Sequence, residues 1–214
     1  MVREGFTQWV MRRRAALEPL AIFCLIMAYI WDLRYTFPVF WLAILGLMVA
    51  SHWVHNEEAV ALGFQARNFR KCVEDFAPGV ILLGLLLWGC GQLLETIRPI
   101  GYERAMLAWA GYLPWGLLQQ YTLNGYFLNR LSRAVSGRQA SIVSAALFSG
   151  AHLPNWFLMA VTLLLGYCSA RIYNRYRNLY FLGVAHGTLG VLFYLVIPDS
   201  VSHHLAVGPG WFVR

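Results

Sequence analysis

Charge is what this 214-residue chain has little of: Asp, Glu, Lys and Arg make up 13% of it, against roughly a quarter in ordinary soluble domains. The shortage is patterned. Tyr35 to Asn56, Phe76 to Leu94, Ala105 to Asn129, Gln139 to Ala170 and Asn178 to Pro198 contain none of the four, and each is long enough for the ~20 residues that cross a hydrocarbon core. With 59% hydrophobic residues, that excludes a soluble globular protein and predicts an all-α, polytopic integral membrane protein. Other absences narrow the class. Cys24, Cys72, Cys90 and Cys168 form no CxxC pair, so neither a disulfide framework nor a structural zinc site is indicated, and they read as small buried hydrophobes. No small-residue cleavage site follows the apolar run after Arg12, Arg13 and Arg14; Asp32 and Arg34 come instead, which argues against a cleaved signal peptide. The net charge of +7 is scattered between apolar segments, which excludes a nucleic-acid patch.

Seven helices are expected, near 15–31 with Glu18 close to its end, 35–54, 77–97, 105–128, 139–153, 155–173 and 179–197. The charge-free run from Gln139 to Ala170 has 32 residues and would extend roughly 48 Å as one helix, so Leu153-Pro154-Asn155 is the natural turn that divides it. Counted over the segments flanking these helices, Lys and Arg alternate thirteen to four. That asymmetry predicts seven spans with the N-terminus in the cytoplasm and the C-terminus outside. The expected location is a bacterial inner (cytoplasmic) membrane.

The charged connection from His55 to Phe76 reads as an amphipathic helix on the cytoplasmic surface. One transmembrane domain over 1–214 is expected: N-terminal helices and this connection over 1–104, a core over 105–197, and a tail over 198–214 that packs on the outer face. Trp31, Trp53, Trp156 and Trp211 sit near expected span ends, as interfacial tryptophans do.

Polar residues inside such apolar segments carry the functional signal, because at membrane depth they face a protein interior or a wet cavity. Three groups stand out. Gln119 and Gln120 are adjacent, with Asn124 one turn beyond Gln120; Phe148 and His152 are four apart and share a helix face; His186 precedes Gly190 by four. Asn155 follows the dividing proline. Counted from the expected cytoplasmic ends, Gln120, His186 and His152 lie roughly 12, 10 and 20 Å deep, so the three segments are expected to converge on one intramembrane site. The bland alternatives are amide hydrogen bonds that hold helices together and imidazoles bonded to backbone carbonyls.

In order and spacing, 105–197 resembles the CPBP (Abi, type II CAAX prenyl protease) family of intramembrane proteases. That family carries Glu-Glu-x-x-x-Arg, then Phe-x-x-x-His, then His-x-x-x-Asn. Phe148 to His152 matches the second motif and His186 opens the third, and 163–186 resembles the path between them. Gln119 and Gln120 replace the two glutamates, Asn124 the arginine and Gly190 the asparagine. The resemblance implies a CPBP-like helical core and a membrane-embedded or lipidated peptide or protein as substrate, with lipid around it and no nucleic acid. A glutamate would activate water there, and a glutamine cannot accept that proton.

Three readings follow. In a divergent endopeptidase, His152 or His186, imidazoles with an ordinary pKa near 6.5, serves as base while Gln119 and Gln120 stabilise the oxyanion. In an inactive relative, the scaffold binds a peptide or serves as a subunit of a membrane complex. In the third, His152 and His186 could hold a metal ion or haem, with His52 and His55. Glu95, Glu103 and Asp199 are the carboxylates available as substitutes, and the expected topology places all three toward the outer face.

Overall fold

The computed structural model describes residues 16–213. Among them there is no strand, and seven long helices follow one another. These are α1 (Ala16–Thr36), α2 (Phe40–Val54), α3 (Phe69–Leu93), α4 (Tyr102–Gln120, continued through a π-helical Tyr121–Leu128 to Leu131), α5 (Gly137–Gly150), α6 (Trp156–Tyr176) and α7 (Leu179–Val196). Arg12 to Arg14 lie outside the described residues. Four helices, α1, α3, α6 and α7, are long and apolar enough to cross a membrane. By contrast α2, at 15 residues, extends only about 22 Å. The protein is an integral membrane protein.

Local chemistry explains most boundaries. Ser136 caps α5 and forms a reciprocal capping box with Gln139. Asn155 accepts from the Leu158 N–H at the start of α6, and Asn178 from the Phe181 N–H at the start of α7. Between α5 and α6 the turn runs through residues 151–154, where Pro154 was expected to divide the run. At the other end of α6, Arg177 closes the helix in a left-handed conformation.

The connection after α2 differs from expectation. Residues 55–68 are a series of turns and not an amphipathic helix, while Phe69 to Phe76 belong to α3, which carries Pro78 in its interior. The reason is tertiary. Gly63 sits at φ +95°, and a Cβ there would lie 2.9 Å from the Arg177 carbonyl oxygen. Its own carbonyl accepts from Leu179, that of Leu62 from the Tyr173 hydroxyl, that of Gln65 from the Asn178 amide and that of Ala61 from Arg177. The α6–α7 turn thus supplies the backbone partners that a helix would otherwise provide.

Consecutive helices run back and forth, so one end gathers the start of α1, the end of α2 and the end of α4, where Glu18, Ser51 and Arg130 meet. At the opposite end the tail folds back on the bundle. Asn155 donates to the carbonyls of Ser202 and Ala206, Gly208 donates to that of Leu153, and Arg98 pairs with Asp199 at 2.6 Å.

The most extensive contact between helices is α4 against α7, and small residues set its spacing. A Cβ on Gly116 would lie 2.8 Å from the Gly183 carbonyl oxygen and 2.9 Å from the Gly187 nitrogen. Such close backbone approach is what glycines four apart permit between membrane helices. Since rigid backbone and not a flexible side chain stands in the way, Gly116→Val is expected to destabilise the fold by about 1–3 kcal/mol, whereas Gly111→Val, with open space around its Cβ, leaves stability nearly unchanged. Thermal unfolding of the two variants in detergent checks this.

Candidate functional site

The glycine contact decides what α4 can present one turn further on. Gln120 follows Gly116 by four residues and is 4% exposed; its Nε2 lies 3.0 Å from Nδ1 of His186 on α7. On the same helix, Asn124 donates from Nδ2 to Gln120 Oε1 at 2.7 Å and to Ser169 Oγ on α6, also at 2.7 Å. The Ser169 hydroxyl donates in turn to Gln120 Oε1 at 2.9 Å. Three helices are therefore tied together around one glutamine. The π-helical segment begins at Tyr121, and a local widening of this kind is frequent at functional sites.

Hydrogen-bond bookkeeping fixes the polarity of each group. Gln120 Oε1 accepts from two donors, so its other amide atom is the NH2 and must donate to His186 Nδ1. In the neutral imidazole the proton of His186 then sits on Nε2, which is a donor. His152 has the opposite arrangement: its Nδ1 lies 2.8 Å from the carbonyl oxygen of Phe148, an acceptor, so Nδ1 carries the proton and Nε2 offers a lone pair.

Phe148 brings the two imidazoles to one face. Its ring centroid is 5.1 Å from that of His152 and 6.2 Å from that of His186, both edge-on at 66° and 79°. The ring is buried, and both histidines are half-buried. The structure thus places Gln120, Asn124, Phe148, His152 and His186 together, with Gln120 and His186 in direct contact and His152 joined through the Phe148 ring.

Other residues singled out in the sequence lie differently. Gln119 is half-buried and makes no side-chain hydrogen bond among the described residues. Asn155 is a helix cap and a tail anchor. Gly190 is a contact point, since a Cβ there would fall 2.5 Å from the Tyr112 ring. His52 is held by Glu57, and His55 by the Ser51 carbonyl, so neither joins the His152–His186 pair. Of the substitute carboxylates, Glu95 and Glu103 are exposed and Asp199 pairs with Arg98. Beyond the end of α7, that guanidinium holds the Asp199 carboxyl below its ordinary range.

Among the described residues no three His, Cys, Asp or Glu side chains are grouped to hold a metal, so a metal at His152 and His186 would need other donors. A shallow groove lined by Phe76, Arg171, Ile172, Asn174 and Arg175 lies elsewhere and includes none of these residues. Sequence reasoning missed Ser169. The signal for it was a hydroxyl inside the same charge-free run that drew attention to His152.

Comparison with curated proteins and with solved structures finds no match. A family profile does match, over residues 35–192, and its description is type II CAAX prenyl endopeptidase Rce1-like. The matched stretch includes α2 through most of α7, and with it every residue of the histidine–glutamine cluster. On that match the chain belongs to the Rce1-like family of type II CAAX prenyl endopeptidases.

Proposed function

We propose that the protein is a divergent intramembrane endopeptidase that acts on a membrane-embedded or lipidated peptide, with an imidazole in place of the missing carboxylate base. The observation that carries this reading is the opposed polarity of the two histidines: a lone pair on His152 Nε2 and an N–H on His186 Nε2, both beside the Phe148 ring. His152 takes a proton from water as the oxygen attacks the scissile carbonyl carbon. His186 donates to the oxyanion that forms, with the free amide of Gln119 as a further donor. The protonated His152 then passes its proton to the departing amine nitrogen as the C–N bond breaks. Gln120 does not touch the substrate in this scheme; it is a positioning residue that fixes the His186 tautomer, and Asn124 and Ser169 fix Gln120 in turn.

A second reading, an inactive scaffold or subunit of a membrane complex, is favoured by one observation. Gln120 is fully engaged with His186, Asn124 and Ser169 and holds no group able to accept a proton. The discriminating experiment uses the full chain in nanodiscs and a farnesylated peptide ending in the Cys-aliphatic-aliphatic-X sequence of the family's name, assayed from pH 6 to 9. The expected outcome is cleavage by the native protein, a loss of at least about 10²-fold in His152→Ala, and little gain from Gln119→Glu with Gln120→Glu. Cleavage that appears only with the glutamate pair, or by neither form, overturns the peptidase reading.

We further propose that all seven helices cross the membrane, in a bacterial inner membrane, with the N-terminus in the cytoplasm. The thirteen-to-four asymmetry of Lys and Arg and the gathering of Glu18, Ser51 and Arg130 at one end support it. A reporter inserted at Arg133 is expected to read as cytoplasmic and one fused after Arg214 as external; the same side for both contradicts three crossings after Arg133, and with them the seven-span arrangement.

A further inference from the structure

A second polar cluster, separate from the histidine–glutamine site, is built around Arg130, whose side chain is fully buried. Its Nη2 lies 2.7 Å from Glu57 Oε2 and 2.7 Å from Ser51 Oγ, and its Nε lies 3.3 Å from Glu18 Oε2. Ser51 donates to Glu18, and Arg133 adds a contact of 2.5 Å to Glu57 Oε1. Burial would push the Glu57 carboxyl up, but the hydrogen bond from His52 and the guanidinium groups of Arg130 and Arg133 outweigh it and hold the group below its ordinary range. Glu57 is therefore a carboxylate, with no proton to give. His52 Nδ1, at 2.5 Å from Glu57 Oε2, must be the donor, which leaves Nε2 of the neutral ring as an acceptor.

Among the described residues, four polar atoms in this cluster have no hydrogen bond of normal geometry: His52 Nε2, Arg130 Nη1 and the hydroxyls of Tyr121 and Tyr126, the last of which faces Ser51 and Arg130. All four residues are more than nine-tenths buried: Arg130 and Tyr126 at 0% exposed, His52 at 5% and Tyr121 at 6%. They also lie together. The His52 ring is 5.5 Å from that of Tyr126 and 5.7 Å from that of Tyr121, and the Arg130 guanidinium is 5.7 Å from the Tyr126 ring. One buried group left without a partner costs about 1–3 kcal/mol. Four side by side point to a guest that bonds to all of them.

Charge and bonding choose the guest. Arg130 and Arg133 already stand opposite Glu18 and Glu57, so an added anion or cation would leave a buried charge unbalanced. A cation would also meet the Nη1 donor. The unpartnered set contains an obligate donor, an obligate acceptor and two hydroxyls that serve as either, which only a molecule that both donates and accepts can satisfy. Water does so with up to four bonds in the smallest volume.

We propose that His52, Tyr121, Tyr126 and Arg130 enclose an internal hydration site holding one or two water molecules, which completes the seam between α2 and α4. Within it, water accepts from Arg130 Nη1 and donates to His52 Nε2, while the two tyrosine hydroxyls close the shell. The proposal does not depend on whether the histidine–glutamine site is catalytic.

Radiolytic hydroxyl labelling of the full chain in nanodiscs tests it, because X-ray pulses generate radicals from bound water and mark the side chains that touch it. Tyr173 is the internal control. It is equally buried, at 1% exposed, but its hydroxyl is satisfied by Asn129 and by the Leu62 carbonyl. Tyr126 is expected to be modified several-fold faster than Tyr173, and Tyr126→Phe is expected to slow the labelling of Tyr121 by loosening the bound water. Equal, slow labelling of Tyr126 and Tyr173 in the native protein overturns the proposal, whether or not the variant folds.

Discussion

The contact on which the rest of the structure depends is the approach of α4 to α7 at Gly116, Gly183 and Gly187, where a side chain on Gly116 would collide with the facing backbone. Lipid tails give no hydrophobic drive for one apolar helix to join another, so close packing and interhelical hydrogen bonds have to supply it. The glycines allow the packing, and one turn later the same proximity lets Gln120 reach His186. Asn124 and Ser169 complete the amide's bonding and bring α6 into the arrangement. Structure and chemistry share this contact: a change that separates the two helices unpairs a buried amide as well as opening a gap.

The second constraint is that buried polar groups need partners, most of which have to come from within the chain. It is met in different ways along the molecule. The turns at 55–68 take their partners from the α6–α7 corner, the tail takes them from Asn155 and Arg34, and the guanidinium of Arg130 takes them from Glu18, Ser51 and Glu57. Each arrangement joins segments far apart in sequence. The bundle is thus held at both ends by polar contacts and in the middle by glycines and the glutamine cluster.

Much of this was legible in the residues. Pro154 divides the charge-free run where a proline must, and the asparagines at 155 and 178 cap the helices that follow. Gln120, His152 and His186 were visible because polar groups in apolar segments are conspicuous, and their order resembles a known family. What could not be read was any feature set by distant partners. The charged connection after α2 has an amphipathic composition, yet Gly63 and the Arg177 backbone make it a chain of turns. Arg130 reads in the sequence as an orienting charge at a span end, whereas its role as the buried centre of an ion cluster depends on Glu18 and Glu57, more than 70 residues away. Asn155 reads in the sequence as the residue after the dividing proline, whereas its bonds to the Ser202 and Ala206 carbonyls depend on a tail that is distant in sequence.

The central claim is that His152 and His186 have opposite tautomers, so that one offers a lone pair and the other an N–H at Nε2. Their hydrogen bonds, His152 Nδ1 to the Phe148 carbonyl and His186 Nδ1 to the Gln120 amide, require it. The direct measurement is 15N NMR of histidine-labelled protein in nanodiscs at neutral pH, with His152→Ala and His186→Ala to assign the signals. The account predicts a neutral ring protonated on Nδ1 for His152 and a neutral ring protonated on Nε2 for His186; the same tautomer for both, or an imidazolium at either, would contradict it.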